Sequence, residues 1–220
     1  MGFHDVWNTA QTEAHLEIAG ERLDVSFIDP LGQTINFEYS VPNFNQCKGC
    51  HVNQNRMIPI GLKVRLLNHD FDYGDGTMNQ LKKWSALGMV KGLPEIVTLP
   101  HTPDYDNPHD GSAVGRARAW IDINCAYCHR LGAPGETSGL FLNIEETDPT
   151  RLGVHKPPVA AGRGAGNLNH TIVPGSPEAS IMIYRIESTD PGIMMPELGR
   201  KLVHKEGVEL VRKWIRNMEK

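Results

Sequence analysis

The chain lacks any apolar run approaching the roughly 20 residues that a membrane-spanning helix needs. It also lacks a Lys/Arg-rich run, and its 22 basic and 26 acidic residues leave a formal charge of −4. A nucleic-acid-binding surface is therefore not expected. No Ser-His-Asp set and no carboxylate pair stands at a spacing that reads as hydrolytic chemistry. The chain start, Met1-Gly2-Phe3-His4-Asp5, has no basic segment, apolar stretch or small-residue cleavage site, so it does not read as a secretory signal. Cysteine is scarce, with four in 220 residues. All four fall in two short patterns, and none is left over.

Those patterns are Cys47-Lys48-Gly49-Cys50-His51 and Cys125-Ala126-Tyr127-Cys128-His129. Two thiols two residues apart can form thioethers to the two vinyl groups of one haem, and the adjoining His then becomes an axial ligand of its iron. Paired Cys-x-x-Cys knuckles can also hold a structural zinc, and a lone one can be a redox dithiol. Neither needs His directly after the second Cys. His makes up 10 of 220 residues, so chance would place it behind both pairs only about once in 500, and the attachment pattern is preferred. The expectation is two covalently bound haem c groups, held by Cys47, Cys50 and His51 and by Cys125, Cys128 and His129. Such haem is attached outside the cytoplasmic membrane. A periplasmic or otherwise exported protein is expected, with the sequence being a mature portion or fragment.

Residues 15 to 42 read as strands. Asp29-Pro30-Leu31-Gly32 has turn chemistry, and Ile35 to Val41 alternates apolar and polar residues. A helix is expected from Thr77 to Val90 with Thr77 as its cap. The Pro/Asp/His-rich stretch Leu93 to Gly111 reads as a linker. Ser112 starts a helix running into Cys125. Residues 131 to 176 read as a long Gly/Pro-rich loop, Ser176-Pro177-Glu178 as a helix start, and His204 to Met218 as a terminal helix with Val208, Val211 and Ile215 on one stripe. These elements predict a mainly α fold, with cytochrome c-like helical haem domains and long loops preceded by a small β-hairpin or sheet. The expected division is 1–46, a β segment packing on the first haem domain; 47–111, that domain and its linker; and 112–220, the second haem domain.

Met195, directly before Pro196, is the expected sixth ligand of the second haem, because a thioether favours ferrous iron and proline restricts the residue before it. Met194 is the neighbouring alternative. For the first haem the candidates are Met57, His69, Met78 and Met89. His69 is preferred for its position about eight residues before a helix, as Met195 stands before its own; Met78 follows, with an open site as a third option. A bis-His iron there would have the lower potential. Asp70 to Gly76 reads as a tight acidic turn, since it fails the calcium-loop pattern. His101, His109, His155 and His170 read as solvated loop histidines.

Residues 112 to 220 resemble the class I cytochrome c fold. Nearly the whole chain is similar to a group of predicted bacterial dihaem c-type cytochromes. The matching stretches are Val6 to Ala14, Gln46 to His51, Asn79-Gln80-Leu81, Arg116 to Ala119 with the second motif, and Met195-Pro196-Glu197-Leu198-Gly199. The resemblance implies export and two haems, and members usually carry further N-terminal sequence. The leading expectation is an electron carrier between redox partner proteins. The alternative is a dihaem peroxidase-type enzyme with an open distal site at the first haem.

Overall fold

β1 (His4–Trp7) and β2 (Ala14–Glu17) form one antiparallel hairpin, and β3 (Glu21–Ile28) and β4 (Thr34–Val41) form a longer one. In the second turn Asp29 Oδ1 accepts the Leu31 and Gln33 N–H groups at 2.9 and 2.8 Å, and Gly32 takes the positive φ that glycine adopts at no steric cost. Ile35 and Phe37 are half-buried between exposed neighbours, and Tyr39 is half-buried beyond them, as a strand with one covered face requires. The computed structural model describes residues 4–219; Met1–Phe3, part of the chain start read above, and Lys220 lie outside them.

α1 (Phe44–His51) carries the whole first motif. Asn43 Oδ1 accepts the Gln46 N–H at 2.9 Å while Gln46 Oε1 accepts the Asn43 N–H at 2.8 Å, a reciprocal cap. The chain then reverses in β5 (Val52–Asn53) and β6 (Arg56–Met57) and passes through α2 (Val64–Leu67) into the hairpin of β7 (Asp70–Asp72) and β8 (Thr77–Asn79). Thr77 does not cap a helix. It pairs with Asp72, and Asn79 caps the shorter α3 (Gln80–Ala86) by accepting the Leu81 and Lys82 N–H groups.

Ser112 Oγ accepts the Gly115 N–H at 3.0 Å and starts α4 (Ala113–Cys125). α5 (Pro149–Leu152), α6 (Ile181–Glu187) and α7 (Lys205–Arg216) follow. The main core lies among α4, α6 and α7, where Ala117, Trp120 and Ile121 meet Ile183, Ile186, Val208, Val211 and Ile215. The α7 residues recur at helical spacing, so one stripe faces inward.

The expectation of a mainly α fold is corrected. Helix accounts for 31% of residues and strand for 18%, with four two-stranded antiparallel sheets among the described residues. The fold is mixed α/β, because residues 52–57 and 70–79 close into hairpins of their own and most helices are short. The stretches carrying the two motifs also pack together. Asp122 of α4, fully buried, meets Arg65 at 2.7 Å and Lys63 at 3.3 Å and accepts the Ile144 N–H at 3.0 Å. The Gln54 N–H bonds Gly132 O at 2.8 Å. Among the described residues no helix is long and apolar enough to cross a membrane.

Candidate functional site

α4 ends at Cys125, and the chain turns so tightly that the N–H groups of Cys128 and His129 both bond Cys125 O, at 3.2 and 2.9 Å. The turn brings Cys125, Cys128 and His129 to one wall of a cleft of about 740 Å³, a volume suited to a small molecule or cofactor. Leu140 and Leu142 from the following loop and Met182 and Ile186 from α6 supply apolar lining. Met195 lines the same cleft, whereas Met194 is buried at 4% exposure and is not part of that lining. The Met195-Pro196 peptide is cis.

His129 is held in one tautomer. Ser138 Oγ gives its proton to Gly135 O at 2.6 Å, so toward Leu140 N–H and His129 Nδ1 it can only accept. Nδ1 therefore carries the ring proton, and Nε2 keeps the lone pair a metal needs. Burial, reinforced by the Arg185 charge, holds His129 down at about 4, so the ring is neutral. A Cβ on Gly135 would stand 2.8 Å from Cys128 O and 3.0 Å from His129 Nδ1, so only glycine lets this loop approach the motif. Burial, with Asp122 nearby, pushes the Cys125 thiol up to about 12.

The first motif meets the second. Gly49 and Cys50 line the cleft, and the Cys128 thiol donates to Gly49 O at 2.9 Å. Hydrogen bonding with Cys128 pulls Cys50 down to about 7 and pushes Cys128 up. His51 donates its Nδ1–H to Ile58 O at 3.0 Å. A carbonyl can only accept, so Nε2 of His51 is again the free nitrogen. Cys47 Sγ lies 3.3 Å from His4 Nε2.

Four sulfurs on one zinc would stand about 3.8 Å apart, given bonds of roughly 2.3 Å. Among the described residues, no three ligand atoms of the two motifs lie within 4.8 Å of one another. This is not the arrangement of a four-cysteine zinc site. The donors fit haem c instead: paired thiols at each motif, a His after each pair whose Nδ1–H is tied to an oxygen, and a cleft with apolar side chains and a thioether at the second.

His69 is placed elsewhere. It donates Nε2–H to Thr102 O at 2.7 Å and turns Nδ1 toward Asp110 at 3.7 Å. Met78 stands opposite Phe71 in the β7–β8 hairpin, Met89 is exposed, and Met57 pairs with Val52. His101 is exposed in its loop, as expected, with Nδ1–H donating to Asn68 O and Nε2 lying 2.9 Å from Asp110 Oδ1. Ser138, Gly135 and Asp122 were not singled out from sequence, where nothing marks a serine nine residues beyond a motif. No family model, curated protein or solved structure matches the chain.

Proposed function

We propose that this protein is a dihaem c-type cytochrome, related to the bacterial dihaem group it resembles, that passes electrons between redox partner proteins outside the cytoplasmic membrane. The observation that carries the reading is the cleft that gathers Cys125, Cys128, a tautomerically fixed neutral His129 and Met195 against apolar walls. Haem c, when bound, supplies a one-electron iron couple. Cys125 and Cys128 would anchor it, His129 would offer Nε2, and Met195 would offer a neutral sulfur that favours the ferrous state. Leu140, Leu142, Met182 and Ile186 keep water out, which also tunes potential. Cys47, Cys50 and His51 would hold the other haem, and the contact of Cys50 with Cys128 makes the two groups neighbours.

The test is expression beside a c-type haem maturation system, followed by acid–acetone extraction and a pyridine haemochrome spectrum. Colour that stays with the protein, with thioether-type bands, supports the reading; colourless, zinc-loaded protein ends it. Peroxide turnover by the coloured protein would favour the peroxidase-type enzyme over the carrier.

A further inference from the structure

Away from the cleft, His69, His101 and Asp110 bring three ligand atoms within 4.8 Å of one another. His69 follows α2, while His101 and Asp110 come from the loop before α4. Each imidazole is tied on its outer side to a backbone carbonyl. His69 Nε2–H donates to Thr102 O at 2.7 Å and His101 Nδ1–H donates to Asn68 O at 2.9 Å. Carbonyl oxygens only accept, so these bonds place the ring protons outward and leave lone pairs on His69 Nδ1 and His101 Nε2. Both lone pairs face one carboxylate. Asp110 Oδ2 stands 3.1 Å from His101 Nε2 and 3.7 Å from His69 Nδ1, and the Asp104 N–H holds the same oxygen at 2.7 Å.

Three acceptors turned toward each other need a positive charge among them. A proton on His101 would satisfy one of the two lone pairs, whereas a cation satisfies both and the carboxylate at once. Donors bound tetrahedrally at about 2.0–2.1 Å stand roughly 3.3–3.4 Å apart; the Asp110 oxygens stand 2.9 and 3.1 Å from His101 Nε2 and 3.7 Å from His69 Nδ1, on either side of that value. Tying the outer nitrogen of a ligating histidine to a carbonyl is how metal sites fix ring orientation.

We propose that His69, His101 and Asp110 form a binding site for a divalent transition ion of the zinc class, with a fourth position open to water. Two imidazoles with a carboxylate suit that class, whereas calcium and magnesium prefer all-oxygen sites. The ion clips the loop before α4 to the turn after α2. That turn lies just beyond Arg65, whose carbonyl accepts the Thr102 N–H at 3.0 Å and whose guanidinium holds Asp122. The clip thus braces the contact between the two motif-bearing stretches.

The experiment is a calorimetric titration of the chelator-stripped full chain with Zn²⁺, and zinc-edge absorption spectroscopy of the loaded protein. The expected result is one ion per chain in a shell of nitrogen and oxygen at about 2.0–2.1 Å, without sulfur near 2.3 Å. His101→Ala, a change at a partly exposed side chain, and Asp110→Asn should each weaken binding at least about 10- to 100-fold. His15→Ala, in a separate His15/Glu17/Glu21 group, should leave it unchanged. No saturable binding, binding that survives both His101→Ala and Asp110→Asn, binding lost in His15→Ala, or a sulfur shell would each overturn the proposal.

Discussion

His51 and His129 each close a Cys-x-x-Cys-His motif, and each donates its Nδ1–H to an oxygen, Ile58 O in one case and Ser138 Oγ in the other. Their surroundings differ. His129 sits against a cleft whose walls come from the loop and helix that pack on α4 and α7, continuous with the main core. His51 is held by a turn of two-residue strands, in a stretch (47–111) whose one buried apolar side chain among the described residues is Leu81. Orienting an axial histidine takes only a local turn and one acceptor. Enclosing a haem and presenting a thioether to it takes a core, and only the second motif is built into one.

Breaking the two motifs separately should show this most strongly. Cys125→Ala/Cys128→Ala should lose one haem and, with the apolar cleft left unfilled, melt far below the wild type. Cys47→Ala/Cys50→Ala should also lose one haem, yet keep the spectrum of the second and most of the stability. Intact mass and thermal unfolding check both.

The seam between the stretches comes next. Asp122→Ala leaves Arg65, mostly buried, with only the exposed Glu145 carboxylate at 3.7 Å, and breaking such a buried pair costs about 3–5 kcal/mol. Denaturant unfolding should show that loss. Met194 and Met195 then divide stability from ligation. Met194→Ala should cost about 2–5 kcal/mol as a core truncation and keep the sulfur-to-iron charge-transfer band. Met195→Ala should lose that band and lower the potential of the haem at Cys125, with a smaller effect on stability. If the two outcomes are exchanged, the wrong methionine has been assigned.

The gentlest change is Ser138→Ala. It removes the acceptor of His129 Nδ1–H, which costs about 1 kcal/mol and should shift the potential of the second haem alone, as partners of ligating histidines do. A shift of both waves in a redox titration would contradict the separation of the two sites.

What could be read from sequence was what local chemistry decides. The Ser112 cap, the α7 stripe and the Asp29–Gly32 turn lie within a few residues of the groups they satisfy, and the structure shows all three. Thr77 misled because its hydroxyl suits a cap, while pairing of residues 70–72 with 77–79 claimed it for a strand and left Asn79 to cap the helix. That is tertiary context overriding a local preference. The His69 cluster depends on partners 32 and 41 positions further on, joined through backbone carbonyls, and no spacing rule reaches that far. The contact of the two motifs through Gly49, Cys50 and Cys128 was equally silent, because the sequence alone suggested two separate domains.

The central claim is that both motifs hold haem covalently although only one is enclosed by the core. It is tested most directly by the intact mass of the denatured, acid–acetone-extracted protein after c-type maturation, with Cys125→Ala/Cys128→Ala and Cys47→Ala/Cys50→Ala measured beside it. The account predicts a mass increase of two haems for the wild type and of one haem for each double variant. A wild-type mass equal to the bare chain, or to the chain with one haem, would contradict it.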